Sequence, residues 1–261
     1  MKLGIEGKTA LVMGGSGGLG LATAKALAAE GARVVLAGRD ADKVEAIVAQ
    51  LIADGHQAMA AIWDQTDSSA MAHQIDAIEA RFGNVDILFN NTGGPPPSPA
   101  TGQDMAVWSQ FFEQMVLSVI ALTDRVLPGM RARNWGRIIT TTSSGVISPI
   151  PNLALSNTLR SALVAWSKTL AAEVARHGIT ANIVVPGRIA TDRVAFLDSA
   201  RAERLGRPVE DITEESTATI PIGRYGRPEE YGAVVAFLAS DAASYVTGTM
   251  IRVDGGMIAN V

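Results

Sequence analysis

Short apolar runs alternate with longer amphipathic stretches along the whole chain. Thr9–Met13, Arg33–Ala37, Gln57–Trp63, Val85–Phe89, Arg137–Thr141, Thr180–Val185 and Met250–Val253 have the length and apolar content of strands. Between them, apolar residues recur at helical spacing over Leu19–Glu30, Asp40–Ala53, Ser68–Phe82, Asp104–Arg131, Leu155–His177 and Pro228–Ser240. Gly31 and Gly55 supply stops for the first two. Leu155, Leu159, Leu163, Trp166, Leu170 and Val174 make one stripe along the longest C-terminal helix. The alternation predicts an α/β fold, a single domain over residues 1–261 built on a doubly wound parallel sheet with helices on both faces. Ile183-Val184-Val185, apolar on both sides, suits a strand covered twice. Ligands of such sheets lie beyond the carboxyl ends of the strands, so the informative residues should follow Met13, Ala37, Trp63, Phe89, Thr141 and Val185.

Composition narrows the chemistry. The 261 residues include 22 basic and 26 acidic side chains, a net charge of −4, without a Lys/Arg block; nucleic acid and anionic membranes are not expected partners. The absence of cysteine excludes disulfides, thiolate catalysis and Cys-ligated metal. His56, His73 and His177 are far apart, so no metal site is expected. Apolar runs such as Ala233–Ala239 reach seven residues, against the roughly 18 of a membrane span. The N-terminal residues run into a glycine cluster without a secretory apolar core. These features predict a soluble, cytoplasmic protein that acts on a small molecule.

That cluster is Gly14-Gly15-Ser16-Gly17-Gly18-Leu19-Gly20, between the first strand and the first helix. Glycines there permit positive φ and let backbone amides approach a pyrophosphate, which the helix N-terminus stabilises. Gly15, Gly17 and Gly20 fit G-x-G-x-x-G, whereas Gly14, Gly18 and Gly20 fit G-x-x-x-G-x-G. A merely flexible turn is the competing explanation, and the strand–loop–helix context favours a dinucleotide site.

The second register resembles the short-chain dehydrogenase/reductases, and the resemblance covers nearly all 261 residues. Supporting motifs are Asp64, Asn90-Asn91-Thr92-Gly93, Pro186-Gly187-Arg188-Ile189-Ala190-Thr191 and Val253-Asp254-Gly255-Gly256, in that order. Met13 stands where the family has Thr, and Thr92 where it has Ala. The resemblance implies a Rossmann-like NAD(P)(H)-dependent oxidoreductase acting on a carbonyl or alcohol, similar to 3-oxoacyl carrier-protein reductases. It places Gly14, Ser16, Gly17, Gly18, Leu19 and Gly20 at the pyrophosphate, and Asp64 and Gln65 at the adenine. Asn90, Thr92 and Gly93 would border the adenine ribose and pyrophosphate; Pro186, Gly187, Ile189 and Thr191 would hold the nicotinamide carboxamide. For Asp64 a helix N-cap is an equal contender, although Asp67 is the better cap. The second strand ends in Arg39 rather than a carboxylate, favouring NADP(H) over NAD(H). Adjacent Asp40, and Gly17 in place of a basic residue, argue the other way.

Relatives use a Ser, a Tyr, a Lys four residues later and an upstream Asn. Ser143 falls at the first position, but Ser156 stands at the Tyr, Arg160 at the Lys and Met115 at the Asn. Ser156 and Arg160 share a helix face. A serine hydroxyl is far less acidic than a phenol, and an arginine keeps its proton, so the pair cannot copy Tyr–Lys acid/base chemistry. The expected deficit is about 10²–10⁴-fold. Arg160 could still bind the nicotinamide ribose and stabilise an alkoxide, with water relayed by Ser143 or Ser156. The alternative is a catalytically impaired dinucleotide-binding protein with a regulatory or assembly role. Tyr225, Tyr231 and Tyr245 read as packing residues.

Gly93–Pro99 is a stiff stretch, either spacer or pocket wall. Residues 188–219 suit a substrate lid, where Arg188 and Arg193 either favour an anionic substrate or belong to a solvated helical face. The family resemblance adds a homotetramer or homodimer, paired through Asp104–Arg131 and Leu155–His177 and through the tail from Gly255.

Overall fold

The structure is a computed structural model and describes residues 3–260. Its strands are β1 (Thr9–Met13), β2 (Arg33–Gly38), β3 (Ala58–Ile62), β4 (Ile87–Asn90), β5 (Gly136–Thr141), β6 (Ile179–Pro186) and β7 (Met250–Val253). The helices are α1 (Gly18–Ala29), α2 (Ala41–Ala53), α3 (Ser68–Phe82), α4 (Met105–Phe112), α5 (Ser118–Arg133), α6 (Ala154–Val174), α7 (Asp192–Leu205), α8 (Val209–Ala218) and α9 (Pro228–Leu238). The strands form one sheet in the order β3-β2-β1-β4-β5-β6-β7, every neighbouring pair parallel. The winding reverses between β1 and β4, which places a crevice at their carboxyl ends.

Strand alternation divides the core in two. Ala10 and Val12 join Val34, Leu36, Ile87 and Phe89 in a layer that includes Ala24 and Leu27 of α1, Val48 of α2 and Tyr231 and Val235 of α9. Leu11 and Met13 face the opposite way and pack with Ile75 and Ile78 of α3, Leu122 and Val126 of α5 and Leu170 of α6. Successive residues thus bury against different helices, as a sheet covered on both faces requires.

Local chemistry sets the helix starts. Asp40, Asp67 and Asp104 each accept backbone amides at the start of α2, α3 and α4. Asp67, not Asp64, is therefore the cap; Asp64 accepts instead from the amide and hydroxyl of Thr66, at 2.9 and 2.7 Å.

Three expectations need correction. The expected helix over Asp104–Arg131 is interrupted: a π turn at Glu113–Leu117 separates α4 from α5, and Ser118 N–H donates to the Glu113 carbonyl. Taken as a whole, Met105–Arg133 is long and apolar enough by length and composition to cross a membrane, which run length alone had not indicated. It lies against the protein, α4 packing on α6 and α5 on α3 and β5. Tyr245 is fully exposed rather than packed. The long segment after β6 resolves into α7 and α8, separated at Gly206, where φ is +62°, and Pro208.

Candidate active site

The glycine loop is sterically committed. Gly14 and Gly18 have φ of +63° and +51°. A Cβ on Gly20 would lie 2.0 Å from the Gly14 carbonyl oxygen, and one on Gly14 2.7 Å from Nδ2 of Asn91. The Asn91 amide donates to the Met13 carbonyl at 3.3 Å and so ties the end of β4 to the end of β1. Ser16 sits against Gly38 at the end of β2, Gly17 caps α1 in extended backbone, and Leu19 packs onto the core. The loop after β6 closes the other side: a Cβ on Gly18 would touch Thr191 Cγ2 at 3.5 Å. Gly187 donates to the Val253 carbonyl, where a Cβ would strike Asp254, and Ile189 is buried. Pro186 ends β6.

At the end of β2, Arg39 is largely exposed and lies 3.6 Å from a carboxylate oxygen of Asp64. Hydrogen bonds from Thr66, and secondarily Arg39, hold the Asp64 carboxyl below its ordinary pKa. Asp40 is engaged in capping α2, through a 3.1 Å bond from the Lys43 amide. Lys43 itself escaped the sequence reading: its ammonium lies 3.6 Å from where a Cβ on Gly17 would stand. A basic group therefore reaches the glycine loop from α2 instead of from within the loop. Gln65 turns away from this corner and donates to the Gln114 carbonyl in the π turn at 2.8 Å, a carbonyl that also accepts from Ser118 Oγ.

The Asn90 side chain points inward, donating to Thr123 of α5 and Thr140 of β5 at 3.2 and 3.4 Å. Its Oδ1, with Oγ1 of Thr92, Thr141 and Thr142, is buried and without a hydrogen-bond partner among the described residues. These oxygens are sealed inside the ends of β4 and β5 and do not by themselves mark a ligand. The glycine cradle, where a Cβ would collide and two residues hold positive φ, is what fits the pyrophosphate of a bound dinucleotide.

Of the expected catalytic residues, Ser156 and Arg160 are one turn apart on α6 and both buried, at 7% and 8% exposure. Among the described residues the Arg160 guanidinium donates only to backbone carbonyls: Thr141 at 3.4 Å, Thr92 at 3.3 Å and Gly93 at 3.4 Å. Burial first, and Arg193 second, pull it down to about 10, so it stays charged at neutral pH. Ser143 Oγ accepts from Gly145 N–H at 3.1 Å. Gly145 passes so near α6 that a Cβ would lie 2.2 Å from Asn157 Oδ1, which brings the Ser143 loop against the first turn of that helix. Met115 is buried within the π turn, packed with Leu155, Leu159 and Leu163. Tyr231 is buried, and that burial raises its pKa, leaving a poorer acid than an ordinary phenol.

The segment after β4 is pinned along its length. Ser98 pairs with Leu153: its amide donates to Asn152, and its carbonyl and hydroxyl accept from Ala154 and Leu155. On the lid side, Arg188 binds buried Asp198, which also accepts from the Tyr225 hydroxyl at 2.7 Å.

A family model described as Enoyl-(Acyl carrier protein) reductase matches residues 14–258. The 3-oxoacyl-[acyl-carrier-protein] reductase FabG of Escherichia coli is 38% identical over 258 residues, 98% of this chain and 99% of that protein. D-beta-hydroxybutyrate dehydrogenase of Cupriavidus necator is 34% identical over 260 residues, 98% of this chain and 99% of the relative. Among solved structures, L-sorbose reductase of Gluconobacter frateurii, complexed with NADPH and L-sorbose, superposes with a TM-score of 0.94 at 31% identity, each chain covered in full (100%). With the sheet order, the glycine cradle and whole-length matches in agreement, the chain belongs to the short-chain dehydrogenase/reductase family.

Proposed function

We propose that this protein is an oxidoreductase that interconverts a carbonyl and an alcohol, prefers NADP(H) to NAD(H), and works with Ser143, Ser156 and Arg160 in place of the family's usual set. The observation that carries the reading is the convergence, at one end of the sheet, of the glycine cradle and the Ser156–Arg160 face of α6. The cofactor, when bound, supplies or accepts the hydride. Gly14, Ser16, Gly17, Gly18, Leu19 and Gly20 would hold its pyrophosphate, and Pro186, Gly187, Ile189 and Thr191 its carboxamide. Thr92, Gly93 and the backbone of Asn90 would border the adenine ribose and the pyrophosphate. Arg160 supplies fixed positive charge where an alkoxide develops, and Ser156 and Ser143 orient the substrate oxygen and pass a proton from water. The relative in complex with NADPH supports dinucleotide binding, and the comparisons lend nothing to a role without chemistry.

NADP preference rests on Arg39 and Lys43. Both put positive charge where a 2′-phosphate would lie, while Asp40 is occupied with α2 and Asp64 is shared with Thr66 and Arg39. Fluorescence titration should give tighter binding of NADPH than NADH, and Arg39→Asp should cut NADPH affinity at least about tenfold with little effect on NADH. Equal or tighter NADH binding by the unaltered protein refutes the preference; no binding of either refutes the oxidoreductase reading. The remainder of the proposal is a single domain with α7 and α8 as a substrate lid, in a soluble, cytoplasmic homotetramer or homodimer. Exposed Met105, Phe112 and Leu117 on the α4–α5 helix support such pairing.

A further inference from the structure

Two arginines at the mouth of the crevice have no carboxylate. Of the other arginines of the lid region, Arg188 pairs with Asp198, Arg201 and Arg207 with Glu215, and Arg224 with Glu230, while Arg204 has no ion pair among the described residues but is exposed to water. Arg160 and Arg193 form no ion pair among the described residues. Both guanidiniums instead converge on one short piece of backbone. Arg160 donates to the carbonyls of Thr92 and Gly93. Arg193 donates to the carbonyl of Pro95 at 2.7 Å and packs so tightly that a Cβ on Gly94 would lie 2.9 Å from its Nη2. Arg193 also stacks over Phe196, 5.5 Å from the ring centroid. Arg160 comes from the α6 face that carries Ser156, and Arg193 from the first turn of α7, so the pair bridges the body and the lid.

Removing like charges from water without an anion between them is unfavourable, and burial lowers the pKa of each. Backbone carbonyls carry only partial charge and leave other N–H donors of the two forks free. What such a pair lacks is a planar, singly charged acceptor that both forks can reach.

We propose that Arg160 and Arg193 form a carboxylate clamp, and that the substrate is an oxo acid, or the corresponding hydroxy acid, whose carboxylate sits between them. The proposal rests on the oxidoreductase reading and names the substrate class for that same site. The pyrophosphate belongs to the glycine loop at the end of β1, so it does not meet this need. An oxo acid brings the missing charge with the reacting carbonyl, and Arg193 ties lid closure to its arrival.

The test uses the full chain loaded with NADP⁺, which cannot reduce a ketone, so binding is read without turnover. Pyruvate, acetoacetate and levulinate place the carboxylate at three distances from the carbonyl, and their methyl esters are neutral controls. By calorimetry, at least one acid should bind about tenfold or more tightly than its ester. Arg193→Gln should bring that acid down to the level of the ester while leaving NADP⁺ loading unchanged. Acids and esters binding alike, no acid binding at any spacing, or an Arg193→Gln variant that keeps the full preference would each overturn the clamp. Inorganic phosphate binding about tenfold more tightly than every acid would also overturn it, in favour of a phosphate ester. Failure to load NADP⁺ at all would strike the oxidoreductase reading instead.

Discussion

Arg160→Met should make the ligand-free protein more stable. Lowering the guanidinium from its ordinary 12.5 to about 10 corresponds to roughly 3 kcal/mol of penalty on the charged form, at about 1.4 kcal/mol per pKa unit. Its three carbonyl contacts, at 3.3–3.4 Å, lie at the long end of the hydrogen-bond range and return only about 0.5 kcal/mol each. Methionine keeps much of the stem's packing and removes the charge. The net expectation is a gain on the order of 1 kcal/mol, a rise of about 2–4 °C in Tm for a chain of this size. Thermal unfolding at pH 7 without cofactor or substrate reads it directly. The pH dependence supplies a second check. Because the folded-state pKa lies below the unfolded value, the unfolded chain binds more protons between about pH 10 and 12.5. Wild-type stability therefore recovers relative to the variant as pH rises through 10, and the gap in Tm should narrow there. A variant that melts below the wild type at pH 7 would refute the reasoning, since the carbonyl contacts would then outweigh the buried charge.

Two further outcomes follow from the same geometry. Ser156→Tyr with Arg160→Lys puts a phenol and an ammonium on the α6 face, and should raise reduction of a simple activated ketone at least about tenfold in a cofactor-oxidation assay; a slower double variant would mean that Ser156 and Arg160 serve a mechanism of their own. Glu230 is held at about 2 by the hydrogen bond from Arg224 and next by the Arg227 amide at the start of α9. Its folded pKa is below the ordinary 4.5, so its stabilisation is present above pH 4.5 and lost as pH falls through 2. Glu230→Gln should flatten that part of the stability–pH curve in acid denaturation, and an unchanged curve would show the ion pair to be inert.

What was legible in the sequence depended on how local its cause was. Thr9–Met13, Ser68–Phe82 and Met250–Val253 have the bounds that apolar runs and caps imply, because strand length and an Asp67-type cap are decided within a few residues. The glycine loop was equally plain. Within residues 188–219, Gly206 and Pro208 are the local signals for the break between α7 and α8. The remaining surprises are long-range. Lys43 reaches Gly17 across a helix start, Asn90 turns its amide into the sheet, and Gln65 bonds a carbonyl 49 residues away. That Arg160 would find carbonyls but no carboxylate also depends on residues 19 to 68 positions distant. Spacing identifies which side chain holds a position, whereas the tertiary fold decides what surrounds it.

The π turn at Glu113–Leu117 changes the phase of the helix that carries it. One additional residue in a helical turn rotates everything downstream by about 100° relative to an uninterrupted α-helix. Before the turn, α4 buries none of its residues, and Met105 and Phe112 face outward; after it, α5 buries Val119, Leu122, Val126 and Met130. A single rod thus addresses two directions, and the Gln65 amide donates to the Gln114 carbonyl at the turn between them. The length of this stretch is consequently under tighter constraint than its composition: excising one residue would heal the helix and swing its inner stripe off the sheet, whereas an apolar exchange within it would leave the phase intact.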